Sequence, residues 1–249
     1  MDENNTPKRP IFNFTSKMTR RERLAALIYL PIHFAALPVV AAVVLIKFYG
    51  DLSAVTVEAI YYAFGVAVML LCEFRFLRRE FDTLCDRPLR CLYTAFLGYG
   101  LMYTLNLLAA EILSLLLGDA AMTMSLDNPN NNAVLGLFDE QYGLAAATTI
   151  FFAPILEEIL FRGGLFGTLR HRNRLAAYLV TIFLFSLYHV WQGALLDWRN
   201  LLFIVQYIPV SFVLCWVYER SDTIWSPIFL HMFINFASLK ALEQLKTML

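Results

Sequence analysis

The sequence is poor in charge. Only 16% of its 249 residues are Asp, Glu, Lys or Arg, against 59% from the hydrophobic set, which is too apolar for an ordinary soluble domain. The 20 basic and 20 acidic residues cancel, so there is no net positive field to attract a nucleic acid, and none is expected as a partner. Cysteine is scarce. Cys72, Cys85, Cys91 and Cys215 show no CxxC spacing, so free thiols are expected rather than a disulfide framework. HExxH, GxSxG and a glycine-rich phosphate cradle are all missing, which argues against the commonest zinc-protease, serine-hydrolase and nucleotide chemistries. No period of 20–50 residues repeats, and the paired broken helices of inverted-repeat transporters are not evident.

What the sequence does have is long apolar runs. A helix needs roughly 20 apolar residues to cross about 30 Å of hydrocarbon, and seven stretches qualify or nearly do: 24–46, 54–72, 91–117, 142–161, 175–195, 200–218 and 223–239. The expectation is an all-α, polytopic transmembrane bundle of about seven spans. Met1 to Arg23 is polar and basic, and reads as a cytoplasmic tail rather than a cleavable leader. Basic loops stay cytoplasmic. With the N-terminus inside, 16 of the 20 Lys and Arg fall on the inner side, in 1–23, 73–90, 162–174 and at Arg220, leaving Lys47, Arg199, Lys240 and Lys246 outside. These basic segments also suit anionic lipid headgroups. The longest external loop, 118–141, contains Asp127-Asn-Pro-Asn-Asn-Asn132, turn formers that argue for irregular structure there.

A charge at the centre of a spanning helix costs several kcal/mol on insertion scales, so each ionisable residue inside a run needs a reason. The densest case is Glu157-Glu158, placed by the run lengths about one turn from the inner end of the fourth span and followed by Arg162. Glu158 and Arg162 stand at i and i+4 on one helix face, so Arg162 can pair with Glu158. Glu157 is turned about 100° away and left available. The fifth span carries Phe185 and His189, and the seventh carries His231 and Asn235, again at i and i+4. Each element has a plainer reading: carboxylates snorkelling at the interface, histidines satisfied in packing. Three spans with a polar cluster each are better explained by convergence on one buried site. His33, between Pro31 and Pro38, reads as structural, and His171, in a basic loop, has no evident chemistry.

Such a set permits peptide hydrolysis, which needs an activated water, a proton carrier and donors for the oxyanion. Glu with His supplies the first two; His with Asn supplies the third. A divalent metal such as zinc is the rival activator, with Glu157, Glu158, His189 and His231 as candidate ligands, although no cofactor is firmly implied.

The three motifs resemble those of the CPBP group, the CAAX-processing endopeptidases and bacteriocin-processing or immunity proteins also called the Abi family. EExxxR is met by Glu157, Glu158 and Arg162, FxxxH by Phe185 and His189, and HxxxN by His231 and Asn235. The resemblance covers about 150–239 and suggests a bacterial member. It implies that Glu157 and His189 activate water, that Glu158 with Arg162 holds the site together, and that His231 with Asn235 steadies the oxyanion. On this reading 1–23 is the cytoplasmic tail, 24–141 holds N-terminal transmembrane helices and the external loop, and 142–249 is the catalytic core. The expected substrate is a membrane-associated peptide or protein terminus, met in a cavity that opens toward the cytoplasm from the bacterial cytoplasmic membrane. Two other classes remain: a non-catalytic immunity or scaffold protein that keeps the polar knot for structure, and a proton- or cation-coupled transporter. Nothing in the sequence bears on oligomeric state.

Overall fold

Several of the described helices begin where a short polar side chain caps them. A computed structural model describes residues 14, 16–48, 53–118 and 128–248; most of the basic tail and Asp127 of the external loop lie outside the described residues. At the start of α1 (Arg20–Pro31, continued through a widened turn Ile32–Ala36 into Leu37–Phe48), Thr19 and Glu22 form a reciprocal capping box: Glu22 accepts from Thr19 N at 2.6 Å, and Thr19 Oγ1 accepts from Glu22 N. Ser53 caps α2 (Ala54–Asp86), and Pro88 opens α3 (Pro88–Leu117) at the position where a missing N–H costs nothing.

The segment expected to be irregular corrects the sequence reading. Asn128 Oδ1 accepts from the amides of Asn130 and Asn131 at 2.9 and 3.4 Å, Pro129 takes the first helical position, and α4 runs over Pro129–Glu140. The same Asn128 is buried and donates through Nδ2 to Gln206 and Tyr207 at 2.6 and 3.2 Å. Tertiary hydrogen bonds thus turn a run that disfavours helix locally into a docked helix.

The central element, α5, spans Tyr142–Arg170 and includes two widened stretches, Ala147–Phe152 and Glu158–Phe166. Such widened turns recur at functional sites. Then follow α6 (Arg174–Leu196), a 3₁₀ turn at Trp198–Phe203, α7 (Ile204–Ser221) and α8 (Trp225–Met248). Among the described residues every regular element is helical, and six helices are long and apolar enough to cross a membrane. The seventh expected span is the long helix α8, whose apolar run is diluted by His231, Asn235 and Lys240. Large apolar side chains such as Leu71, Phe74, Phe96, Leu107 and Phe183 are exposed, the outward face that lipid rather than water tolerates.

Two placements differ from the run lengths. Arg162 stands inside α5, completely buried, rather than in an inner loop. The helix therefore continues past the expected end at 161 to Arg170, and the two glutamates sit near its middle. Continuity is possible because both terminal nitrogens of the guanidinium find acceptors in place and because Gly163 and Gly164 admit close neighbours. A Cβ on Gly163 would lie 2.8 Å from Met18, and one on Gly164 2.8 Å from Ala26, so α1 packs directly on α5.

The basic residues collect at one end of the bundle. There Arg79 pairs with Glu22, Arg90 donates to the Arg220 carbonyl at 2.6 Å, and Arg170 and Arg174 share Glu219. Phe161, Phe166 and Tyr218, all fully buried, close the bundle between this end and the glutamates. The four cysteines are free thiols.

Candidate active site

The second glutamate is consumed by structure. Glu158 Oε1 accepts from Arg162 Nη1 and from His231 Nδ1, both at 2.8 Å. Arg162 also donates through Nη2 to the Ser211 carbonyl and hydroxyl at 3.3 Å and lies over the Phe185 ring, 4.2 Å from its centroid. These contacts offset part of the cost of burying the ion pair, although Arg162 Nε and Glu158 Oε2 have no hydrogen-bond partner among the described residues. The expected i, i+4 pair is present, and it extends across to α7 and α8.

Glu157, buried and one residue earlier, faces the other way. Its Oε1 accepts from Tyr62 at 3.4 Å; its Oε2 has no hydrogen-bond partner. That oxygen lies 3.9 Å from His189 Nε2 and 3.9 Å from His231 Nε2. The tautomers follow from the partners. His189 Nδ1 donates to the Phe185 carbonyl at 2.9 Å, because a carbonyl only accepts, and His231 Nδ1 donates to Glu158. In each neutral ring Nε2 is therefore the basic nitrogen, and both are turned toward Glu157 Oε2. The Tyr207 ring stacks on His189 at 4.6 Å and holds its plane.

Asn235, one turn beyond His231, donates Nδ2 to the Thr149 carbonyl at 2.8 Å, which leaves its second amide proton. It lines, with Glu157, His189 and His231, a cavity of about 880 Å³, within the usual size of a ligand site. All five residues expected in the centre are thus brought together, with Arg162 and Phe185 as supports. Sequence reasoning missed Tyr62 and Tyr207. Nothing local marked them, apart from the place of Tyr61-Tyr62 in an otherwise apolar helix. His171 is exposed on the turn between α5 and α6, well separated in the fold from this centre.

The donor set does not match a zinc site as it stands. Two ligands 3.9 Å apart would subtend roughly 140° at a zinc bonded at about 2.1 Å, well above the tetrahedral angle, and Glu158 Oε1 is already taken by Arg162 and His231. No group of three metal-ligating side chains is arranged to hold an ion among the described residues. A water oxygen at about 2.8 Å from each of two such atoms subtends about 90°, which is within hydrogen-bonding geometry.

The cavity walls run from the mid-bundle Glu157, Phe185 and His231 to one end of the bundle. They include Ala54 at the start of α2, Asn130 and Asn131 of α4, Gln192 late in α6, Gln206 early in α7 and Ala241 of α8. This is the end opposite the basic residues.

The fold and site define an integral membrane protein, all helical, with a carboxylate and two imidazoles converging inside the bundle. Residues 140–237 match the family described as type II CAAX prenyl endopeptidase Rce1-like, which bears out the resemblance to CAAX proteases carried by the three motifs and supports a membrane protease at the level of family. A Bacillus subtilis (strain 168) protein named "Putative membrane peptidase YdiL" is 30% identical over 125 residues, 49% of this chain and 47% of that protein. "UPF0177 protein YxdF" of Lactococcus lactis subsp. lactis (strain IL1403) is 25% identical over 151 residues, 61% of this chain and 73% of that protein. The match spans about half the length of the first of these relatives. No solved structure matches.

Proposed function

We propose that the protein is an intramembrane endopeptidase that cuts a peptide bond in a membrane-associated peptide or protein terminus. The observation that carries this reading is the convergence of Glu157 Oε2 with the Nε2 atoms of His189 and His231, 3.9 Å each, on the cavity wall. A water held among them transfers one proton to Glu157 while its oxygen bonds to the substrate carbonyl carbon, and His189 Nε2 accepts from its other hydrogen. The oxyanion that forms is met by the second amide proton of Asn235 and by His231 when Nε2 carries a proton. Glu158 keeps the His231 ring in place through Nδ1. Glu157 then delivers its proton to the amide nitrogen as the C–N bond breaks.

The low-dielectric surroundings strengthen each of these contacts relative to water. What favours catalysis over the scaffold reading is the setting of the unpaired Glu157 oxygen, which faces two imidazole Nε2 atoms on a cavity wall.

The approach of the substrate follows from the walls. The excess of Lys and Arg at one end supports reading that end as cytoplasmic, with the N-terminus inside and the cavity mouth toward the outer face of the cytoplasmic membrane. This reading differs from the expected cytoplasmic opening, and it is supported by the buried Phe161, Phe166 and Tyr218 on the basic side of the glutamates. The carboxamides of Asn130, Asn131, Gln192 and Gln206 suit the backbone of an uncharged peptide segment, since each offers both a donor and an acceptor.

The deciding experiment is cleavage of a membrane-peptide library by the purified protein in liposomes, beside Glu157→Gln and His231→Ala, with and without chelator. Products lost in both variants and kept in chelator support carboxylate activation of water. Products lost in chelator and restored by zinc would transfer the role to a metal, and a wild type that cuts nothing would favour the immunity or transport classes.

A further inference from the structure

From α1, outside the segment that matches the family, a hydrogen-bonded run of phenols leads into that segment and to Glu157. His33 is completely buried, and its Nε2 lies 3.0 Å from Tyr61 Oη and 3.1 Å from Tyr188 Oη. Tyr188 Oη is 2.9 Å from Tyr62 Oη, and Tyr62 Oη is 3.4 Å from Glu157 Oε1. His33 cannot swing out of this arrangement, because its ring is stacked on Tyr61 at 4.7 Å with the planes 1° apart.

Following the protons fixes the direction of the run. Tyr61 donates its one proton to the His33 carbonyl oxygen, 2.6 Å away, an atom that only accepts. Its own oxygen can then only accept from His33, so Nε2 carries the imidazole proton and shares it between Tyr61 and Tyr188. The remaining nitrogen, Nδ1, is then an acceptor and is buried without a partner among the described residues. Tyr188, accepting from Nε2, turns its proton to Tyr62, and Tyr62 turns its own to the carboxylate. Each hydroxyl after His33 is aimed along the same path.

We propose that Tyr62, aimed by Tyr188 and His33, is a positioning residue for Glu157: it holds Oε1 so that Oε2 alone faces the two histidines and the cavity. A carboxylate anchored by one oxygen cannot exchange its two oxygens by rotation, and a site works only while such supports keep its atoms within about 0.5 Å of productive geometry. The N-terminal helices, α1 and α2, thereby complete a site whose other residues all lie in the family-like segment. The kinetic consequence rests on the protease reading; the positioning does not.

The test uses a readout independent of cleavage. Dicyclohexylcarbodiimide, an apolar reagent that modifies protonated carboxyl groups, is applied to the full chain in liposomes, and modification of Glu157 is followed by peptide mass spectrometry. Tyr62→Phe removes only the hydroxyl, so Glu157 loses a donor to its anion. Modification is expected to quicken about fivefold, the equivalent of one net hydrogen bond of ~1 kcal/mol. Tyr188→Phe, which releases the Tyr62 hydroxyl, quickens it less, and Tyr99→Phe, whose ring lies against Phe233, leaves it unchanged. In the cleavage assay Tyr62→Phe lowers kcat about tenfold at constant KM. If Tyr62→Phe does not fold, Tyr188→Phe carries the same comparison. Modification at the wild-type rate in the folded variants overturns the proposal whether or not any peptide is cut. Faster modification in a protein that cuts nothing upholds the positioning and removes the protease reading alone.

Discussion

Glu158 and His231 stand 73 residues apart in the chain and meet at 2.8 Å, Oε1 to Nδ1, with the Arg162 guanidinium on the same oxygen. This contact joins α5 to α8 and orients the imidazole whose other nitrogen faces Glu157. Two neighbouring carboxylates therefore divide their work: Glu158 is tied through Oε1 to Arg162 and His231, and Glu157 turns Oε2 to the two histidines and the cavity.

Removing one partner of the buried pair should be costly. Arg162→Met leaves the Glu158 carboxylate in an apolar interior with one donor fewer, and the expected loss is about 3 kcal/mol. Thermal unfolding in detergent should show a clearly lower transition temperature, together with loss of cleavage. An unchanged transition would mean that the pair contributes nothing net to stability.

The first glutamate should behave in the opposite manner. Glu157→Gln retains shape and replaces an oxygen that has no partner, so stability should stay within about 1 kcal/mol while cleavage falls by roughly 10²–10⁴. Equal losses of stability and activity would assign Glu157 a structural role.

Access to the cavity can be read by labelling. With the native cysteines replaced by serine, Gln192→Cys and Ser238→Cys in the cavity wall should react with a membrane-impermeant thiol reagent added outside intact cells. Arg172→Cys, exposed between α5 and α6, should react only after the cells are opened. The reverse pattern would place the basic end outside and overturn the orientation.

Docking of α4 should depend on one side chain. Asn128→Ala removes the helix cap and two buried hydrogen bonds to α7, with an expected cost of about 1–2 kcal/mol. Faster proteolysis between α3 and α5 is the measurement. Protection at the wild-type level would show that α4 is held by its apolar contacts, such as Leu137 and Phe138.

Much of the architecture was legible in the residues themselves. A chain in lipid must satisfy its backbone within each segment, so apolar run length determined that the elements are helices and nearly determined their number. The i, i+4 spacing of Glu158 and Arg162 determined their pairing, and polar residues in three separate spans pointed to one centre. The end of α5 was misread because Arg162 resembles the edge of a span when its burial partners, Ser211 and Phe185, are out of sight. The helix at Pro129–Glu140 was missed because its cap is stabilised from α7. What only the tertiary structure decided is the path from His33 through Tyr188 and Tyr62 to Glu157, and the end at which the cavity opens. Both depend on how helices far apart in sequence face one another. Local spacing sets the face each helix presents, whereas the pairing of faces is settled by burial and hydrogen bonding over the whole bundle.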